Sequence, residues 1–201
     1  MSAGRFVRDP DAAYLRFTPR RVTPIYLGAM GPAMLRLAGE LADGALPLLF
    51  PPEHWFTVRP LIAEGARRRA ASLGAIDLAA CIWVSLADDD APARRALAEK
   101  IAYYGHALGP LIYDRLGVSR EEFAPIQRVL TVERDLEAAC AMVDDRMLRT
   151  GVAGRPATLV ARLRPLVEAG VRHLSFGPPL GPDPLRAVEL LGRDVLPALR
   201  A

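Results

Sequence analysis

The sequence predicts an α/β fold built on a parallel sheet. Three observations carry this. Short apolar runs alternate with amphipathic stretches along the 201 residues, and repeated strand–helix units make the strands parallel and put helices outside. One run, Ile76–Leu86 (IDLAACIWVSL), is nearly all apolar, as strands covered on both faces of a parallel sheet are. Glycine and proline cluster at the joins between runs, where the chain must turn.

Val22–Ala29 (VTPIYLGA) reads as the first strand. Gly31–Asp43 then turns helical, with Met34, Leu37, Ala38 and Leu41 at i, i+3, i+4 and i+7 marking its apolar face. Arg36 and Glu40, four apart on the other side, are expected to pair. Gly44–Phe50 (GALPLLF) is the second run, with a strand expected over 44–49, and Pro51, Pro52 and Glu53 open a helix that runs to about Leu73. The third strand is 76–86. Asp88–Asp90 follow it and start a long helical region over 91–150, broken near Gly105, Gly109–Pro110, Gly117 and Pro125. This region reads as an insertion of mostly surface helices. Gly151–Gly154 reads as a tight link. Pro156 suits the first position of a helix reaching Ala169, and Pro165 is expected to kink it. Val171–Gly177 contains the last strand, 171–176; GPPLGPDP is a rigid loop, and Asp183–Pro184 caps a terminal helix. Residues 1–201 form one domain with the insertion inside it. The right-handed crossover rule places the four strands in sequential order with helices on one outer side.

Composition narrows the function classes. A chain that is 51% hydrophobic and 24% charged can bury a core and is not a disordered tail. The net charge of +3 is nearly all arginine against acid, since Lys100 is the only lysine. The densest basic cluster, Arg67–Arg69, has no interleaved aromatic residues and reads as a solvated helix face rather than a nucleic-acid patch. Cys81 and Cys140 lack CxxC partners, so free thiols in a reducing cytoplasm are expected. No segment reaches the ~18 unbroken apolar residues of a membrane span, and the N-terminus has no apolar core of a signal peptide.

Three segments sit where chemistry would be carried. Tyr26–Pro32 (YLGAMGP) joins a strand end to a helix. Gly28 and Gly31 let backbone N–H groups approach a ligand, and the helix N-terminus adds partial positive charge, so the turn forms an anion site without lysine or arginine. The same glycines also suit a plain chain reversal. Ala45–Pro52 (ALPLLFPP) lacks any group for acid–base work and offers either an apolar pocket wall or simple core. Ser175–Gly181 (SFGPPLG) fixes a loop beyond a strand's C-terminal end, the ligand end of parallel α/β folds. His54, His106 and His173 show no metal spacing and read as packing or surface, and Asp88–Asp90 and Asp144–Asp145 read as caps. No metal site and no catalytic residue is assigned.

PIYLGAMGPAMLRLAGELADGALP, together with GVAGRPATLVARLRPLVEAGVRHLSFGPPLG, resembles the second half of luciferase-like oxidoreductases, the methylenetetrahydromethanopterin-reductase-like subgroup above all. The resemblance runs from about Gly4 to the end. It implies a (β/α)8 TIM barrel, of which this chain supplies about four βα units as a C-terminal half-barrel. It implies the deazaflavin coenzyme F420, or FMN in other branches, with Gly28, Ala29, Met30 and Gly31 holding the phosphate end and Ala45, Leu46 and Pro47 beside the coenzyme or substrate. The implied reaction is hydride transfer between coenzyme and a small organic substrate. An FMN-dependent monooxygenase is one alternative; an inactive truncated homologue, or a non-catalytic partner of a separate N-terminal half-barrel chain, is another. A homo-oligomer is a further possible assembly. The first-strand acidic residue and the segment backing the deazaflavin ring belong to the half this chain does not match, and Ala157-Thr158 stand where the family has an acidic pair.

Overall fold

The computed structural model describes residues 23–200. In chain order the regular elements are β1 Tyr26–Leu27, α1 Pro32–Leu41, β2 Gly44–Ala45, α2 Trp55–Ala66, β3 Asp77–Leu86, α3 Asp90–Tyr104, α4 Pro110–Leu116, α5 Phe123–Arg128, α6 Leu136–Ala141, α7 Asp145–Leu148, β4 Val152–Gly154, α8 Pro156–Glu168, β5 His173–Leu180, α9 Pro184–Leu190 and α10 Leu196–Arg200. Every strand pairing is parallel.

β3 is the spine. Its N–H groups at Asp77, Cys81 and Ala87 donate to Asp43, Pro47 and Gly154 respectively. All three positions are odd. Backbone groups alternate sides along a strand, so β2 and β4 share one edge of β3 and β5 takes the other. The main strands therefore run β1-β2-β3-β5, the expected sequential order, with β4 tucked beside the C-terminal end of β3. The expected link at Gly151–Gly154 is this short strand; three residues are too few to show a period. β1 and β2 are shorter than the runs that announced them, though Leu48 still bridges to Cys81. Val22 lies outside the described residues. β5 is longer than expected and continues through Pro178 and Pro179, which reading prolines as loop residues missed. Proline has no N–H for a ladder but is tolerated on an edge strand, and among the described residues β5 pairs only with β3.

Even-numbered Ala80, Ile82, Val84 and Leu86 of β3 face an outer core with Leu35, Ile62, Leu159, Leu163 and Leu190, all essentially inaccessible. The helices α1, α2, α8, α9 and α10 cover this side. α1 departs from its predicted face: Leu35, Ala38 and Gly39 are buried, whereas Met34, Leu37 and Leu41 are 42%, 40% and 60% exposed. The rotation follows from its fit to α2. A Cβ on Gly39 would stand 2.1 Å from the Ile62 carbonyl oxygen, and one on Gly65 would stand 1.8 Å from that of Arg36, so the two helices meet backbone to backbone. That closeness also redirects the charges. Arg36 pairs with Glu64 and Glu40 with Arg68, each at 2.8 Å across the helices, instead of with each other. Arg69 donates to the carbonyls of Ala42, Leu73 and Gly74, so part of the basic cluster stabilises the chain's own turns.

Helices α3–α7 bury a second core around Leu97, Ile101, Phe123, Ile126 and Cys140. This core reaches the sheet through Leu48, Phe50 and Trp83. Trp83 is an odd residue of β3, so these helices cover the C-terminal part of the opposite sheet face, where helices on one outer side only were expected. An all-apolar strand gives no sign of which of its faces takes which helices. Several cap readings hold: Pro156 opens α8, Pro165 lies inside it, and the carboxylates of Asp144 and Asp183 accept from the first-turn N–H groups of α7 and α9.

Glu53 ties the chain after β2 to α8, accepting from Arg162 at 2.6 and 2.9 Å. Burial opposes its ionisation, but the Arg162 guanidinium outweighs that and holds the carboxyl below its ordinary range. Replacing Glu53 by glutamine keeps the shape and removes the charge. It is expected to lower stability by about 1 kcal/mol, as a half-buried bidentate pair does, read as a lower urea midpoint at an unchanged slope.

Candidate functional site

The C-terminal ends of the parallel strands gather the β1–α1 turn, the Leu46–Pro52 segment and the end of β5. Gly31 is the residue before α1, with φ −85° and ψ 154°, and Pro32 takes the first helical position. Leu35 is the first N–H to bond back, to the Gly31 carbonyl at 3.0 Å. The N–H groups of Ala33 and Met34 therefore have no helical acceptor, as at any helix start. No side chain caps them. Among the described residues, a Cβ added at Gly28 or Gly31 would find no atom within 4 Å, so neither glycine is packed against them. Gly28, Met30 and Gly31 are exposed while Ala29 is buried in the outer core. Ala45 and Pro47 are buried and Leu46 half-buried, on the neighbouring strand. The turn and this strand are bonded directly, Leu46 donating to Leu27 at 3.0 Å. The two predicted groups of site residues thus lie on adjacent strands.

The inner sheet face carries a row of polar side chains that sequence reading did not assemble. Tyr26 of β1 passes over β2 and its hydroxyl donates to Asp77 of β3. Gly44 makes the passage possible: a Cβ there would stand 2.3 Å from the tyrosine ring. Asp77 also meets His173 of β5, Nδ1 to carboxylate oxygen 3.6 Å, and the Tyr26 and His173 rings meet edge to face with centroids 6.1 Å apart. The hydrogen bond to the Asp77 carboxylate raises the Tyr26 pKa, so the phenol keeps its proton and remains a donor. Above this layer, burial raises the Cys81 thiol pKa, partly offset by the neighbouring Ser175 hydroxyl. Above that again stands Trp83, stacked against Phe50 at 4.2 Å between centroids. The signal for this row was the odd-numbered set of β3 with a register that only the structure supplies.

The remaining candidates separate from the site. His54 is 3% exposed, its Nδ1 has no partner, and burial lowers its pKa. Ser85, by contrast, belongs to the odd-numbered row of β3 above Trp83, fully buried near the strand's C-terminal end with an unpartnered hydroxyl among the described residues. Asp88–Asp90 do not cap α3 as expected: Asp89 precedes the helix without a side-chain cap, Asp88 pairs with Arg186, and Asp90 accepts from the Arg155 backbone N–H. Among the described residues no group of His, Cys, Asp and Glu is placed to hold a metal. A cleft of about 520 Å³ opens between α7 and α8, lined by Arg94, Asp145, Arg149, Thr158 and Arg162 among others; none of the predicted coenzyme residues borders it.

Comparison with known proteins agrees with this geometry. The chain is 35% identical over 175 residues to the 5,10-methylenetetrahydromethanopterin reductase of Methanopyrus kandleri, covering 87% of this chain and 50% of that protein. It is 32% identical over 200 residues to the F420-dependent glucose-6-phosphate dehydrogenase of Nakamurella multipartita, covering 98% and 54%. The solved coenzyme F420 dependent tetrahydromethanopterin reductase from Methanopyrus kandleri superposes with a TM-score of 0.78 at 33% identity, covering 88% of this chain and 51% of that one. An F420-dependent secondary alcohol dehydrogenase shares the fold at a TM-score of 0.64 and 21% identity, covering 95% and 53%. The chain thus spans about half the length of the relatives it matches. Residues 2–173 match the family model described as Luciferase-like monooxygenase, and the chain belongs to that family.

Proposed function

We propose that this chain is the coenzyme-binding C-terminal portion of an F420-dependent oxidoreductase that transfers hydride between the deazaflavin and a small organic substrate. The β1–α1 turn carries the reading. Among the described residues it combines unpaired N–H groups at the start of a ten-residue helix, no side-chain cap, and two glycines with no neighbour within 4 Å of an added Cβ, at the strand ends that hold ligands in this fold class. An anion fits there: the dipole and N–H groups of a helix start attract phosphate, and open space lets a phosphodiester lie against the backbone.

When bound, F420 supplies the two-electron chemistry. This chain binds and orients. Gly28–Gly31 hold the phosphate end through their backbone, and half-buried Leu46, with Ala45 and Pro47 buried behind it, forms the apolar wall that excludes water beside it. The names of the relatives favour F420 over FMN. The free thiols Cys81 and Cys140 accord with a reducing cytoplasm, and no helix among the described residues is long and apolar enough to cross a membrane.

Gly31→Asp tests the site without breaking the helix. Aspartate is a favoured residue in the capping position, the backbone there is extended, and its Cβ meets nothing. The helix should be as stable or more so, while the carboxylate occupies the N–H groups and repels phosphate. F420 affinity, followed by deazaflavin fluorescence, is expected to fall at least tenfold at an unchanged melting temperature. Equal affinity in the variant would remove the phosphate site from this turn. FMN titrated alongside decides between the two coenzymes.

A further inference from the structure

Lys100 of α3 stands above the inner sheet face with its Nζ 4.0 Å from the Tyr104 ring centroid and 5.3 Å from that of Trp83. Among the described residues it makes no salt bridge and its ammonium has no hydrogen-bond acceptor, although it is the only lysine in the chain. The two rings face each other edge-on at 6.3 Å, and Phe50 packs on Trp83 from the side of β2. Ring faces are electron-rich and hold a cation in place, yet they leave its three N–H donors unspent. Tyr104 is 52% exposed, so the cluster opens to solvent. Trp83 lies in the same odd-numbered row of β3 as Cys81, on the face away from the outer helices.

From this we propose that Lys100, positioned by Trp83 and Tyr104, binds an anionic group of the substrate and so selects acids over neutral compounds. The proposal deepens the oxidoreductase reading and rests on it for the word substrate. Its physical basis is separate. The rings hold the ammonium in place but accept none of its N–H groups, and an incoming carboxylate or phosphate supplies the hydrogen-bond acceptors that the protein withholds. Carboxylates neutralise many cations elsewhere in the fold: Arg36, Arg68, Arg95, Arg146, Arg162 and Arg186 all have acidic partners, whereas Lys100 faces rings instead.

The test is a titration of the full chain with benzoate, phenyl phosphate and benzamide, followed by tryptophan fluorescence. Trp83 reports on the cluster; Trp55 is fully buried elsewhere and serves as the internal reference. The anions are expected to bind at least tenfold more tightly than benzamide. Lys100→Met, which retains the length and packing of the side chain, should erase that preference, and Lys100→Arg should retain most of it. Benzoate against phenyl phosphate identifies which anion the site suits. Equal binding of all three ligands, or a preference that survives Lys100→Met, overturns the proposal. F420 is titrated into the same samples. Loss of anion selectivity with intact coenzyme binding counts against this inference alone. Selectivity in a chain that binds no F420 even when paired with the first half of a luciferase-like barrel counts against the oxidoreductase reading alone.

Discussion

Replacing Gly65 by alanine is expected to destabilise the chain by about 2 kcal/mol, despite alanine being the better helix former. Two effects oppose each other. Glycine inside a helix costs roughly 1 kcal/mol relative to alanine, so the substitution starts with a gain of that size. Against it stands the added methyl, 1.8 Å from the Arg36 carbonyl oxygen and 2.9 Å from the Arg36 Cα. Both obstructing atoms are backbone, so no rotamer change relieves the clash; α1 and α2 must separate. Overpacking of this kind costs roughly 1–3 kcal/mol and sometimes more. The separation also breaks the reciprocal fit at Gly39 and stretches the Arg36–Glu64 and Glu40–Arg68 pairs, which puts the sum at the upper end. A net loss of this size lowers the melting temperature of a chain this long by roughly 4–8 °C. Gly192→Ala is the matched control: its Cβ meets nothing within 4 Å and its backbone is not left-handed, so the same substitution there should be neutral or slightly stabilising. If Gly65→Ala melts with the control, the two helices are not in backbone contact.

What was legible in the sequence, and what was not, divides along one line. Features set by residues close in the chain were readable. Pro156 and Asp183 start their helices because proline and a capping carboxylate act within one turn, and the βα rhythm gave parallel strands in sequential order. Features set by distant residues were not. The buried face of α1 is chosen by Gly39 and Gly65, and no helical period in residues 31–43 records a glycine 26 residues further on. The row Tyr26–Asp77–His173 needs three strands in register and a glycine at 44 to let the tyrosine cross. His173 alone read as a surface or packing histidine because its partners lie on other strands. Lys100 stands out in the sequence only as the chain's one lysine, since one of its two rings, Trp83, comes from β3. The glycines at 28 and 31 were legible because a strand–turn–helix is local. The proposal that this turn holds a phosphate comes from the family resemblance, since spacing alone left a plain chain reversal open.

The isolated chain is expected to bind F420 weakly and to show no turnover, whereas pairing it with the first half of a luciferase-like barrel should restore both. The chain spans about half of each relative it matches, 50% in one case and 54% in another. Among the described residues β1 pairs only with β2 and β5 only with β3, so each has one edge without a neighbour. Unpaired strand edges invite pairing, and in a closed barrel the first and second halves provide it for each other. Apolar surface marks the same places. Ile25 beside β1 is 70% exposed, Leu41 of α1 is 60% exposed, and Leu27, Leu174 and Phe176 are only half-buried. The phosphate site should survive in isolation because one βα turn builds it. The ring site should not, since half of the inner side-chain layers come from the other four strands. The two parts of the coenzyme therefore respond differently. In the isolated chain, free phosphate should compete with whatever F420 binding remains, and Gly31→Asp should abolish it. In the paired protein, F420 affinity should rise at least tenfold, phosphate should compete poorly, and the exposed apolar surface, read with an environment-sensitive dye, should fall as a one-to-one complex forms. Tight stoichiometric F420 binding with turnover by the 201-residue chain alone would show that its own residues complete the ring site, and the half-barrel account of its function would be wrong.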